Sequence, residues 1–278
     1  MQDLVSTEWL AGELGAPDLT VLDASWHMPS TNRDPRAEYE ERHIPGARFF
    51  DIDAVSDRDA GTPHMLPGAE QFGCAMGDLG VGSSDRIVIY DHSDLRTSAR
   101  AWFTLRHFGA RQVAILDGGL ARWLAEGRPI ERGYPPAREV RFDAVARGEQ
   151  VVGKDDLTSG ADAPILDARS RARFEGTEKD PRPGVAPGHI PGARNIPYAS
   201  VYRDDGTFRS PDELRALFRD AGADIAQPFI ASCGSGVTAN SLIFAARLAG
   251  NDRVRLYDGS WSDWGSDPGT PKELGPAA

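Results

Sequence analysis

The stretch Cys233-Gly234-Ser235-Gly236-Val237-Thr238 decides how the rest of this sequence is interpreted. It follows an apolar run at 228–232 that has strand character, and it precedes a helical pattern from Ala239 to Leu248. A glycine-rich turn between a strand and a helix can direct several backbone N–H groups at one negatively charged atom. Here that atom would be the sulfur of Cys233, which we expect to be partly thiolate at neutral pH. The flanking glycines and hydroxyl residues argue against the more common case, a buried and inert cysteine.

The sequence around this loop repeats an earlier part of the chain. A His-Ile-Pro-Gly-Ala-Arg turn begins at His43 and returns at His189, each time after a short apolar run. The segment Asp117-Gly118-Gly119, followed by Trp123, returns as Asp258-Gly259-Ser260, followed by Trp264. The two turns begin 146 positions apart (189 − 43). This interval indicates a duplicated domain, because the repeats of a solenoid span only about 20–50 residues.

Both halves alternate short apolar runs with helical patterns. This alternation predicts an α/β fold in which each half is a mostly parallel sheet with helices on both faces. Helices are predicted at 7–14, 69–79 and 210–221. A segment rich in proline, glycine and charge, 127–154, predicts a surface linker. We therefore expect an N-terminal domain at 1–135, a linker at 136–155 and a C-terminal domain at 156–278.

Composition limits the classes of function. Hydrophobic residues make up 40% of the 278 residues and the net charge is −11, which is typical of a globular protein and argues against nucleic-acid or anionic-membrane partners. The first residues lack a basic and apolar leader, and no apolar run approaches the roughly 20 residues of a membrane span, so we expect a cytoplasmic protein. The two cysteines, Cys74 and Cys233, have no Cys-x-x-Cys spacing, which argues against a disulfide framework or a zinc site. We expect Cys74 to be packed within its helix.

These motifs together resemble those of the tandem-domain rhodanese-like sulfurtransferases, over almost the whole chain. Within that family, a Cys-Gly-Ser-Gly-Val-Thr loop is the pattern of the members that use 3-mercaptopyruvate, whereas the thiosulfate enzymes have Arg and Lys after the cysteine. The resemblance implies a persulfide on Cys233, release of pyruvate, transfer of sulfur to a thiol or cyanide, and no metal or organic cofactor. Thioredoxin is one candidate thiol acceptor. The first domain would be non-catalytic, because Asp91 takes the place of Cys233 and a carboxylate cannot form a persulfide.

The resemblance also assigns roles to further residues. Two guanidinium groups can grip a carboxylate in a bidentate manner, and the family places arginines with that role at Arg173 and Arg182. The alternative is that these arginines form surface ion pairs with Glu175 or Asp180. The donor would also be bound by the loop residues Gly234, Gly236, Val237 and Thr238.

A proton relay of Asp53, His64 and Ser235 is implied in the same way, since a histidine held by a carboxylate can exchange a proton near neutral pH. The alternative for His64 is a turn residue that bonds to the backbone. His43 and His189 are assigned a structural role because each precedes an Ile-Pro-Gly turn.

Three other functions remain to be distinguished. Thiosulfate could replace 3-mercaptopyruvate as the donor. A phosphatase or arsenate reductase would need a Cys-x5-Arg loop, but position 239 is alanine. A binding or sulfur-sensing module of the same fold would need neither the loop cysteine nor both arginines.

Overall fold

The structure is a computed structural model that describes residues 1–136 and 138–277. The chain folds into two compact units. The first unit contains Met1–Ser56, Leu66–Arg147 and Arg203–Phe208, and the second contains Asp57–Met65, Gly148–Tyr202 and Arg209–Ala278. The short segment that carries His64 therefore belongs with the second unit, although it lies within the first half of the sequence.

The first unit is built on a five-stranded parallel sheet with the strand order β1-β5-β4-β2-β3. Its strands and helices, in chain order, are β1 (Leu4–Val5), α1 (Thr7–Glu13), β2 (Leu19–Asp23), α2 (Pro35–Glu41), β3 (Arg48–Phe49), α3 (Ile52–Val55), α4 (Ala69–Leu79), β4 (Arg86–Tyr90), α5 (Ser98–His107), β5 (Gln112–Leu116) and α6 (Gly119–Ala125).

The second unit repeats this topology with the strand order β6-β10-β9-β7-β8, again with every strand pair parallel. Its elements are β6 (Val151–Val152), α7 (Lys154–Thr158), β7 (Ile165–Asp167), α8 (Arg171–Glu175), β8 (Arg194–Asn195), α9 (Pro211–Asp220), β9 (Phe229–Ser232), α10 (Ala239–Leu248), β10 (Val254–Tyr257) and α11 (Ser260–Trp264). The predicted α/β duplication with parallel sheets is confirmed.

Equivalent residues hold the core of each unit. Trp123 donates its indole N–H to the carbonyl of Pro129, and Trp264 donates to that of Pro271, both at 2.7 Å. His43 and His189 are fully buried, and each ring shares a hydrogen bond with a backbone carbonyl through Nδ1. Each ring also stacks on an aromatic side chain, Tyr39 in the first unit and Phe174 in the second. The structural role predicted for the two histidines is confirmed.

The prediction for Cys74 is wrong in part. The residue lies in α4 as expected, but its side chain is exposed. The buried face of this helix is formed by Phe72 and Met76, which lie two residues to either side of Cys74. Since residues two apart on a helix point in different directions, Cys74 lies away from that buried face.

No helix in the described part of the chain is long and apolar enough to span a membrane.

Candidate active site

The predicted loop joins β9 to α10 in the second unit, and its cysteine is buried. Strand β9 occupies the middle of its sheet and ends at Ser232, so Cys233 lies at the carboxyl edge, where ligands of open α/β sheets bind. The Cys233 residue is 1% exposed and Ser235 is 7% exposed. Gly236 has φ +73°, in the left-handed region that glycine tolerates, which permits the sharp turn into α10.

The carbonyl groups of the loop are held by hydrogen bonds from neighbouring elements. The Cys233 carbonyl accepts from Trp261 N at 3.0 Å. The Gly234 carbonyl accepts from Ser262 N at 2.9 Å, from Ser262 Oγ at 2.6 Å and from Arg182 Nη1 at 3.1 Å. Asn240 Nδ2 donates to the carbonyls of residues 236 and 237, at 2.6 and 2.9 Å. These hydrogen bonds hold the loop in a defined conformation.

The amide groups of the loop fall into two sets. The N–H groups of Cys233 and Gly236 both donate to Ser260 Oγ at 3.1 Å, so they are engaged by a side chain. Those of Ser235, Val237 and Thr238 have no hydrogen-bond partner among the residues that the structure describes. Only the second set matches the expectation of amides that are free to stabilise an anion.

The first unit shows what the equivalent loop does with a negative charge. Asp91 follows β4 as Cys233 follows β9, and its carboxylate accepts hydrogen bonds from Ser93 N at 3.1 Å and from Ser98 N at 2.8 Å. Ser98 is the first residue of α5, so the helix start contributes one of these amides. The strand-loop-helix unit thus binds an internal anion in the copy whose loop has no cysteine.

Arg173 and Arg182 lie beside the loop at Gly234. A Cβ atom at position 234 would be 2.9 Å from Arg182 Nη2 and 3.2 Å from Arg173 Nη2. Glycine at this position therefore leaves room for two guanidinium groups next to the cysteine. The Nε atom of Arg173 is buried and has no partner in the described residues, which leaves a donor for a ligand.

Asp180 holds both arginines. Its carboxylate accepts from Arg173 Nη2 at 2.6 Å, from Arg182 Nη1 at 3.3 Å and from the backbone N–H of Arg182 at 3.0 Å. The Asp180 side chain is only 2% exposed, so this is not the surface ion pair considered as an alternative. Burial lowers the pKa of the Arg182 guanidinium and the charge of Arg173 lowers it further, whereas Asp180 and Cys233 raise it. An arginine remains protonated at neutral pH under such a shift.

The structure brings His64 to Ser235. Nδ1 of His64 and Oγ of Ser235 are 2.9 Å apart and share a hydrogen bond. His64 has φ +64°, a conformation that is unfavourable for a residue with a side chain and that recurs at functional sites. Asp53 belongs to the first unit, on α3, where its carboxylate accepts a hydrogen bond from Trp26 Nε1 at 2.8 Å. Its membership of the relay therefore stays a prediction.

Two residues that support the site from outside the loop were not found from the sequence. Ser260 bonds to the loop as described above, and Arg169 contacts Trp261, the residue after Ser260. The Arg169 side chain donates three hydrogen bonds to Asp167 at 2.6–3.1 Å and one to the Gly188 carbonyl at 2.8 Å, and it lies over the ring of Trp261, 4.5 Å from the centroid. The repeat offered a signal for Ser260, since serine replaces the glycine at 119.

Comparison with known proteins assigns the family. The family model of the rhodanese-like domain matches residues 6–126 and again 153–267, which together make up most of the chain. The chain belongs to the rhodanese-like family. It is 44% identical to the 3-mercaptopyruvate sulfurtransferase of Homo sapiens over 94% of this chain and 91% of that protein. It is 40% identical, with the same coverage, to the thiosulfate sulfurtransferase of Rattus norvegicus.

The rhodanese fold is also matched in solved structures. The crystal structure of SseA from Escherichia coli, described as a 3-mercaptopyruvate sulfotransferase, superposes with a TM-score of 0.86 at 39% identity, covering 94% of this chain and 99% of that chain. Relatives named for two different donors thus have similar identity to this rhodanese-like chain. Overall identity does not choose the donor, and the choice depends on the site.

Proposed function

We propose that this protein is a 3-mercaptopyruvate sulfurtransferase that carries sulfur as a persulfide on Cys233. The observation that supports this most directly is the position of Arg173 and Arg182 beside Gly234, one residue from the nucleophile. A donor with a carboxylate and a keto oxygen offers two anionic or polar ends to two guanidinium groups. Thiosulfate has no carboxylate, and an arginine side chain at position 234 would compete for the space that these groups fill.

The chemistry of the first half-reaction follows from these positions. The Cys233 thiolate attacks the sulfur of 3-mercaptopyruvate, a sulfur–sulfur bond forms, and the carbon–sulfur bond breaks with its electron pair moving to the enolate of pyruvate. Arg173 and Arg182 stabilise the charge that develops on the keto oxygen, and preorganised donors of this kind supply much of the barrier reduction. The enolate then takes a proton and leaves as pyruvate.

The proton is supplied through Ser235 in this proposal. Its hydroxyl shares a hydrogen bond with His64, and histidine is a common general acid and base in enzymes. Asp53 is retained as the third member of the relay on the family resemblance. In the second half-reaction an acceptor thiol attacks the outer sulfur of the persulfide, becomes a persulfide itself, and leaves Cys233 as a thiol again. Thioredoxin, a small thiol and cyanide are the acceptors to compare.

Donor preference tests the proposal. The value of kcat/KM is measured with 3-mercaptopyruvate and with thiosulfate for the wild type and for Arg173→Ala, with Arg171→Ala as the matched control. Arg171 is an exposed arginine on the same short helix. We expect the wild type to prefer 3-mercaptopyruvate and Arg173→Ala to lose roughly ten- to a hundredfold on that donor, because a charge-assisted contact is removed. Preference for thiosulfate, or equal losses in the two variants, would contradict the proposal.

A further inference from the structure

Ser260 has a left-handed backbone conformation, and the equivalent position in the first unit, Gly119, is a glycine. Gly119 has φ +57° and Ser260 has φ +52°, so the two turns share the left-handed conformation. They also make the same contact with the loop, since Leu120 N donates to the Asp91 carbonyl and Trp261 N to the Cys233 carbonyl, both at 3.0 Å. A side chain is unfavourable at this φ. A serine at position 260 therefore has a conformational cost that a glycine would not have.

The hydroxyl of Ser260 contacts the loop at three points. Its oxygen accepts the N–H groups of Cys233 and Gly236, each at 3.1 Å. Its proton has two acceptors within reach, the Tyr257 carbonyl at 2.8 Å and the Cys233 sulfur at 3.9 Å. With a neutral thiol, the nearer carbonyl is the better acceptor. With a charged sulfur, the thiolate becomes the stronger acceptor, because hydrogen bonds to ions are roughly twice as strong as neutral ones.

We propose that Ser260 positions the Cys233 sulfur and donates a hydrogen bond to it whenever that sulfur carries negative charge. The inference rests on the proposed function of Cys233 as a nucleophile. It adds a side-chain donor to the backbone amides of the loop, and it accounts for a serine in a position that is glycine in the non-catalytic copy. The Ser260 hydroxyl rotates so that its hydrogen bond changes from the Tyr257 carbonyl to the sulfur, and the proton stays on the serine oxygen.

The titratable groups on and around the loop stay constant in the test. Arg182 interacts electrostatically with Cys233, Arg173 lies beside the next residue, and Asp180 holds both arginines. His64 approaches the loop at Ser235, and the buried Asp258 lies in the turn that carries Ser260. Ser260 variants remove none of these groups, so a change in thiol reactivity reports the hydroxyl.

The experiment measures the alkylation rate of Cys233 by iodoacetamide as a function of pH in the full-length Cys74→Ser protein. That background removes the exposed second thiol. Ser260→Gly and Ser260→Ala are compared with Ser200→Ala, a matched control whose hydroxyl also donates to the carbonyl three residues earlier, Pro197, at 2.6 Å. Thermal unfolding of each variant is measured in parallel.

We expect both Ser260 variants to shift the pH midpoint of alkylation upward and to lower the rate at neutral pH about tenfold, while Ser200→Ala leaves both unchanged. Ser260→Gly separates the hydroxyl from backbone strain, because glycine accepts the positive φ and should unfold at no lower temperature than Ser260→Ala.

The proposal would be overturned if both Ser260 variants had the same alkylation midpoint and rate as the wild type. It would also be overturned if the alkylation rate fell in Ser260→Ala but not in Ser260→Gly. A wild-type Cys233 that resists alkylation at every pH would also overturn it. Alkylation uses no sulfur donor, so a failure here is distinct from a failure of wild type to form a persulfide with 3-mercaptopyruvate.

Discussion

At the scale of single residues, Asp180 determines how the two candidate substrate-binding arginines are presented. Its buried carboxylate bonds to both guanidinium groups and to the backbone N–H of Arg182. Neither arginine can rotate freely while this carboxylate is charged, and fixed donors bind a substrate carboxylate at a lower entropic cost. Asp180 is therefore a positioning residue.

Replacing Asp180 with asparagine tests this role. The Asp180→Asn variant keeps the shape and the acceptor for the Arg182 amide but loses the charge, so we expect KM for 3-mercaptopyruvate to rise about tenfold with a smaller change in kcat. Asp212→Asn is the matched control, since Asp212 pairs with Arg215 at 2.7 Å but is 95% exposed. Steady-state kinetics with an unchanged KM in Asp180→Asn would show that the arginines do not depend on it.

The sequence could identify Arg173 and Arg182 but could not show how they are held. Two arginines near a repeated turn are compatible with a carboxylate grip, which the family resemblance favours, and with a surface ion pair. In the structure both arginines lie beside the loop and pair with Asp180, whose side chain is only 2% exposed, so the pair is not the surface ion pair. Only the burial of Asp180 distinguishes them, and burial depends on the folding of residues far apart in sequence.

At the scale of elements, the ends of β2 and β7 differ in charge. Asp23 ends β2 and Asp167 ends β7, and both are buried. Asp167 is paired with Arg169 at 2.6 Å, but the position two residues after Asp23 is serine, whose N–H donates to the carboxylate at 2.9 Å. Burial raises the pKa of Asp23 to about 6, while hydrogen bonds from Ser25 and Tyr90 lower it and the nearby Asp91 raises it.

This difference predicts opposite effects of the same substitution. Because the pKa of Asp23 is raised in the folded state, its contribution to stability is complete below about pH 4 and is lost as the pH rises through about 6. Asp23→Asn should therefore stabilise the protein above pH 6, with a higher Tm and a free energy of unfolding up to about 3 kcal/mol larger. Near pH 4 the substitution should change the stability little. Asp167→Asn should lower Tm, since removal of one partner leaves Arg169 buried and uncompensated at a cost of about 3–5 kcal/mol.

Thermal unfolding between pH 4 and 8 checks both variants. The wild type and Asp23→Asn should have Tm values that diverge as the pH rises, whereas the deficit of Asp167→Asn should be present at neutral pH. Parallel curves for the wild type and Asp23→Asn would show that the Asp23 carboxyl titrates at the same pH in the folded and unfolded chain.

The elements themselves were largely predictable from local pattern. The bounds of α4 and α10 match the sequence expectation, because glycine or a glycine-rich loop borders each of them. Helix α9 begins at Pro211 after Ser210, in a capping box with Glu213. The exposure of Cys74 was not predicted, because free cysteines are usually buried and the neighbouring Phe72 and Met76 are apolar. The helix periodicity places Cys74 on a different face from these two residues.

At the scale of the whole molecule, the duplication was readable from the repeated turns, but the composition of the units was not. Segments 57–65 and 203–208 belong with the unit of the other half of the sequence, and no local pattern marks a segment by the unit it joins. This matters for function because His64 lies in one of these segments. Its hydrogen bond to Ser235 joins residues that are 171 positions apart, and only the family resemblance connected them in advance.

The two copies also differ in what their loops hold. The first loop binds its own Asp91 carboxylate with the amides of Ser93 and Ser98. The second presents Cys233 together with the amides at 235, 237 and 238, which no described residue engages. One copy is thus occupied by an internal anion while the other can stabilise a thiolate or a persulfide. The molecule should carry one reactive centre.

The most direct test of this account is the mass of the intact protein after incubation with 3-mercaptopyruvate and removal of the excess donor. We predict the addition of one sulfur atom per chain, located on Cys233 by peptide mapping, present in Cys74→Ser and absent from Cys233→Ser. The adduct should disappear when a thiol or cyanide is added. No added sulfur on the wild type, or an adduct that persists in Cys233→Ser, would contradict the account.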